Sequence, residues 1–168
     1  MQNAKDTFYE VLRGRLAAIN PERTVVVRGV TRPGLLVEEN ELTSAFAAVD
    51  SFRLRWEEVS VEQDGPLPLV TMQCAIEYET AGMAFNGGMD RGRLLAAMDA
   101  ELAAALMQVP RLCVKQNYAA LAKGGVATAM GTNIWWGPAA FGKTVVKANR
   151  VGRMATVDVM SYQEAGEL

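Results

Sequence analysis

Two stretches of alternating apolar and polar residues, 52–61 and 70–78, constrain the fold more than anything else in this sequence. Phe52, Leu54 and Trp56 fall on one side, with Arg53, Arg55 and Glu57 on the other, the period of two that a half-buried β-strand requires. The series then slips, because Val59 and Val61 continue it one residue late. A β-bulge at Glu57-Glu58 accounts for the slip. Asp64-Gly65-Pro66-Leu67-Pro68 turns the chain, and Val70, Met72, Cys74, Ile76 and Tyr78 return on one face with Thr71, Gln73, Glu77 and Glu79 on the other. A long antiparallel hairpin with one dry and one wet face is expected.

Helices are the natural cover for a dry sheet face. Phe8, Val11, Leu12, Leu16 and Ile19 recur at helical spacing, so a helix is expected over 4–19, capped by Asn3 and ended by Asn20-Pro21. Leu94, Leu95, Met98, Leu102, Ala105 and Leu106 make the stripe of a second helix, with Asp90 as its cap and Pro110 beyond its end. Short β-rich runs at 24–28 and 35–38, weak alternation at 112–118 and stronger alternation at 153–163 supply the remaining strands. The expected architecture is one α+β domain over residues 1–168, an antiparallel or mixed sheet packed against two main helices, with long apolar loops.

Composition narrows the chemistry. Of the 168 residues, 50% are hydrophobic and 21% charged, and the net charge is −2. A globular core is therefore expected, without the basic face that would suggest nucleic-acid binding. The sequence has no histidine, which removes the commonest general base and metal ligand. Catalytic residues, cofactors and metals are accordingly expected to be none. Cys74 and Cys113 have no metal or redox spacing and read as reduced thiols in a cytoplasmic product, with a disulfide as the alternative in an exported one. The opening residues Met1 to Asp6 lack a signal-peptide pattern, and no charge-free helical run is long enough to span a bilayer.

One motif points the other way. Gly137-Pro138-Ala139-Ala140-Phe141-Gly142-Lys143-Thr144 matches the phosphate-binding pattern G-x-x-x-x-G-K-[ST]. That chemistry needs a strand before the loop and a helix after it. Asn133-Ile134-Trp135-Trp136 suits the strand, but Val145-Val146 is β-rich and Gly152 follows soon after, so a Gly-rich loop with a surface lysine is favoured. Glu38, Glu39 and Glu41 read as a solvated turn rather than a cation site. Arg53 and Arg55 opposite Glu77 and Glu79 read as cross-strand pairing or as an electrostatic surface for a neighbouring subunit.

Residues 124–142 carry no charge yet include five glycines, Trp135 and Trp136. Two readings stand open: a loop tucked against the core with its tryptophans buried, or an apolar protein-binding arm. Residues 80–89, with Met83 and Phe85, have similar character.

The leading helix 4–19, the strand after Asn20-Pro21, the hairpin 52–78, the helix 90–107 and the closing strand 154–163 together resemble phage tail-terminator and tail-completion proteins. The resemblance covers nearly the whole chain, as an order and length of elements rather than a diagnostic motif. It implies a homo-oligomeric ring, commonly hexameric, that caps the tail tube, stops its polymerisation and faces the neck or head-completion proteins. On it, Phe85, Trp135, Trp136 and Phe141 are expected as interface anchors and Arg53 and Arg55 as lumen or rim charges. The protein is then expected in the virion tail, and in host cytoplasm during assembly, with no catalytic step. A head–tail joining protein, a nucleotide-binding enzyme using 137–144, and a monomeric ligand-binding domain are the rivals.

Overall fold

The structure is a computed structural model that describes residues 1–41 and 49–167. It is the expected α+β architecture, a large curled mixed sheet with helices packed on it. The elements run α1 (Gln2–Ile19), β1 (Thr24–Val27), β2 (Val30–Pro33), β3 (Leu35–Val37), α2 (Glu38–Glu41), β4 (Phe52–Glu62) and β5 (Leu69–Thr80). They continue with α3 (Arg91–Met107), β6 (Leu112–Asn117), β7 (Thr128–Trp136), β8 (Ala140–Phe141), β9 (Val145–Lys147) and β10 (Arg150–Tyr162). Among the described residues no helix is long and apolar enough to cross a membrane.

The main sheet has the order β3-β4-β5-β10-β7-β6, with β8 and β9 also pairing to β10. The β3–β4 pair is parallel and the others are antiparallel, which makes the sheet mixed. The expected bulge is present: Trp56 faces Cys74 but Val59 faces Met72, so three steps on β4 meet two on β5. Beyond that bulge β4 leaves the helices behind, and Val59 and Val61 are exposed rather than buried.

The core forms where α1 and α3 lie on one sheet face. Phe8 is wedged between Trp56 on β4 and Trp136 on β7, edge to face with both at centroid distances of 5.9 and 5.5 Å. One aromatic side chain of α1 thus ties the two flanks of the curled sheet together. Leu95, Met98, Leu102 and Leu106 of α3 cover the inward residues of β5 and β10. Arg15 reaches from α1 to the end of α3, where it donates hydrogen bonds to the carbonyls of Ala105, Gln108 and Pro110. Those are carbonyls a helix end leaves unpaired or close to it.

Two expected caps differ from what forms. Asn3 lies inside α1, whose N-cap is Met1, and its carboxamide instead accepts from the Tyr118 amide at 3.4 Å and donates to Glu167. Asp90 precedes α3 as expected, but its carboxylate turns back to the Met83 amide and the Asn86 side chain rather than capping the helix.

The largest departure from expectation is residues 124–142, which are mostly strand rather than a loop or arm. Residues 128–147 form one interrupted strand that follows β10. Trp136 faces Val159 while Ala140 faces Thr156, so four steps meet three, and the same happens between Phe141–Ala155 and Val145–Gly152. Each break inserts one residue, at Gly137-Pro138-Ala139 and at Gly142-Lys143-Thr144. Proline has no amide to give a ladder, and a bulge is where a strand tolerates it. The Gly137 and Gly142 amides still donate to the carbonyls of Asp158 and Met154, so the strand stays on course.

Candidate interaction surface

Both α1 and α3 pack on the same side of the sheet, so among the described residues the other face carries neither of them. Alternation decides what it displays. Leu69, Thr71, Gln73, Ala75, Glu77 and Glu79 of β5 lie on it beside Met154, Thr156, Asp158, Met160 and Tyr162 of β10, as the register pairs them. The face has two halves of different chemistry.

One half is charged. Arg53 faces Glu77 across the β4–β5 pair. Arg55 reaches Glu57 at 2.8 Å, Glu77 at 3.4 Å and Glu38 at 3.9 Å. The hydrogen bond to Glu57 and these neighbouring carboxylates raise the Arg55 pKa further, fixing its charge. Glu79 takes Lys147 at 2.9 Å and Arg150 at 2.6 Å. Burial pushes the Glu79 carboxyl up, but these two cations outweigh it and hold the group below the usual range. A cleft of about 340 Å³ opens here, between Arg53, Glu77 and Glu79 on one side and Val145, Lys147 and Met154 on the other, over Gly152. Glu38 and Glu39 lie on the single helical turn α2 rather than in the expected solvated turn, and they pair with Arg55 and Lys5. The side chain of Glu41 lies outside the described residues.

The other half is apolar. Leu112 on β6 faces Trp135 on β7, which in turn faces Met160 on β10. The Trp135 and Tyr162 rings lie 5.5 Å apart, and Tyr162 faces Leu69. Leu112, Val114 and Tyr162 are exposed, with Met160 and Trp135 half-buried beside them.

The expected anchor residues therefore divide. Arg53, Arg55 and Trp135 lie on the bare face. Trp136 does not: it is 4% exposed, donates its indole N–H to the Leu106 carbonyl at 2.9 Å and carries the Arg15 guanidinium 4.9 Å from its ring. Adjacent residues of a strand point to opposite faces, so Trp135 and Trp136 cannot both be surface anchors. Phe141 faces inward as well, half-buried against the core. Phe85 is 84% exposed on a 3-10 turn, Ala84–Asn86, ahead of α3, with Met83 and Met89 exposed nearby.

The 137–144 motif has become two bulges with β8 between them, and β9 rather than a helix follows. No helix N-terminus stands behind Lys143, so the amides are not gathered into a phosphate cradle. Among the described residues no group of three His, Cys, Asp or Glu side chains is placed to hold a metal. Cys74 is buried and Cys113 half-buried, and both are free thiols.

A buried ion pair beneath the apolar half left little trace in the sequence. Lys115 has a fully buried side chain, and its ammonium donates at 2.6 Å to both the Tyr162 carbonyl and the Glu167 carboxylate. Burial alone would raise the Glu167 carboxyl, but hydrogen bonds from Lys115 and the Glu164 amide hold it below its ordinary value. Lys115 sits where β6 and β7 lose register, between Val114 and Gln116. The β6 edge is not bare either, because the Gln116 amide donates to Thr7 Oγ1 at 3.0 Å. A lysine at an inward position of a weakly alternating strand was the one available signal.

No family model matches the chain, and no curated protein matches it in sequence.

Proposed function

We propose that this protein is a structural component of a phage or phage-like tail, a terminator whose copies form a ring that caps the tail tube and joins it to the neck. The observation that carries this reading is the bare sheet face. It is a broad surface, fixed by β-ladders, with aromatic and aliphatic side chains in one half and a lattice of arginines and glutamates in the other. Apolar interface cores with charged rims are what stable protein assemblies use. The exposed Phe85 and Met89 beside α3 add a second apolar surface. The mechanism is steric: a ring seated on the last turn of the tube covers the groups that the next subunit would need. Nothing in it calls for a cofactor, a membrane or sequence-specific nucleic-acid contact.

The test is tube growth. Tail-tube protein from the same genome, polymerised alone, should give tubes of unlimited and variable length in electron micrographs. Added stoichiometrically to growing tubes, this protein should stop elongation and label a single end. Unchanged lengths with bare ends would remove the proposal. Binding to head-completion proteins alone, without any effect on tubes, would reassign it to head–tail joining.

A further inference from the structure

Two β-ribbons project from the body, and they are chemically opposite. The first is the β1–β2 hairpin, which among the described residues pairs with no other strand. Arg28 and Gly29, both at positive φ, make its two-residue turn. Its base is fixed: Arg23 is gripped by Glu101 at 2.6 Å and by the Asp50 carbonyl at 2.7 Å, and the Gly34 amide donates to the Arg23 carbonyl. Its tip is not, since Val26 and Val30 are 66% and 64% exposed on opposite faces of the ribbon. From Arg23 to Val37 the chain has no acidic residue.

The second ribbon is the far end of the β4–β5 hairpin. Glu57, Glu58, Glu62 and Asp64 are all exposed there, together with Val59, Val61 and Leu67. From Trp56 to Asp90 the chain has no lysine or arginine. Past the three residues of β3, the described strands pair with β4 on its β5 side only.

We propose that the β1–β2 ribbon of one copy docks on the acidic end of the β4–β5 hairpin of the next copy. A lone two-stranded ribbon with apolar residues on both faces is barely stable in water, so this one needs a surface to cover its valines. The acidic hairpin end offers exposed valines and opposite charge. Its carboxylates also repel a second copy of the same edge, which disfavours a symmetric dimer through β4. Because two different surfaces meet, the contact is head to tail and repeats, closing into a ring or continuing as a filament. This inference rests on the self-association in the proposed function, but not on the tail tube.

Cross-linking of designed pairs tests it, in a Cys113→Ser background where Cys74 is buried. Val30→Cys and Val61→Cys chains are mixed at about 1 mM each, where even a millimolar contact is roughly 40% formed, and treated with a short bismaleimide. The mixture should give heterodimer, and a chain carrying both cysteines should give a ladder. Adding Arg28→Glu to the Val30→Cys chain should lower the yield about tenfold, as like charges meet. Adding Glu58→Lys and Glu62→Lys to the Val61→Cys partner should restore it, which misfolded chains would not do. Equal products from Val30→Cys alone, absent product, or absent restoration would each overturn the contact. Normal tube capping without cross-linking would remove this contact and keep the tail reading, whereas cross-linking without tube capping would do the reverse.

Discussion

Replacing Glu167 by glutamine should destabilise the protein far more than replacing its partner Lys115 by methionine. The Lys115 side chain is 0% exposed and its ammonium has two acceptors, the Glu167 carboxylate and the Tyr162 carbonyl, each at 2.6 Å. In Glu167→Gln the ammonium stays buried and loses its counter-charge, which costs about 3 kcal/mol. For a chain of this size that lowers Tm by about 6–12 °C. In Lys115→Met the buried ammonium disappears, and the Glu167 carboxylate, whose side chain is 6% exposed, keeps the Glu164 amide and the Asn3 carboxamide as donors. The net loss there is about 1 kcal/mol, because an apolar side chain of similar length fills the space. The double variant should resemble Lys115→Met, so the two changes couple by about 3 kcal/mol rather than adding. Urea unfolding followed by circular dichroism on the four proteins measures this cycle. A Glu167→Gln protein within about 0.5 kcal/mol of the parent, or single effects that simply add, would refute a desolvated pair at this position.

The adjacent tryptophans should behave oppositely. Trp136→Ala should cost about 3–5 kcal/mol by emptying the space beside Phe8 and orphaning the Leu106 carbonyl, whereas Trp135→Ser should leave unfolding within about 1 kcal/mol and weaken assembly measured by sedimentation. Acid should destabilise the fold in a defined window. Glu79, Glu101 and Glu167 all titrate below their ordinary values, despite burial, because of Lys147 with Arg150, Arg23 with Asn20, and Lys115 respectively. Groups with depressed folded pKa values stabilise above their unfolded pKa of about 4.3 and lose that contribution as pH falls through the folded values. A plot of Tm against pH should thus be flat through these groups at neutral pH and drop below about pH 4. Thermal unfolding should not shift when Mg²⁺ and ATP are added, and Lys143→Ala should not alter that, because 137–144 is bulged strand; a nucleotide-dependent rise lost in the variant would contradict the assignment.

How much of this was legible in the sequence follows from how far each pattern ran unbroken. The β4–β5 hairpin kept its alternation long enough to show even the bulge at Glu57-Glu58, and the α1 and α3 stripes were equally plain. Residues 124–142 hid their strand because glycine and proline mark bulges as readily as they mark loops. Two inserted residues shifted the phase twice within 128–147, so no window there held a steady period of two. The pairing Trp135-Trp136 still carried the decisive clue, because on any strand neighbours face opposite ways. The role of Lys115 was hidden for a different reason, its inward place on a weakly alternating strand being the one hint. A buried lysine depends on Glu167, 52 residues away, and on the carbonyl of Tyr162, and no local pattern encodes such a meeting. Likewise the bare sheet face appears only once both helices are known to share one side.

The most direct measurement is the view down the axis of a capped tube, by averaging electron micrographs of tube ends formed with this protein. A closed ring at one end, with a ribbon of every copy reaching the acidic hairpin of its neighbour, is the expected image. Bare ends, or isolated copies that do not touch one another, would contradict it.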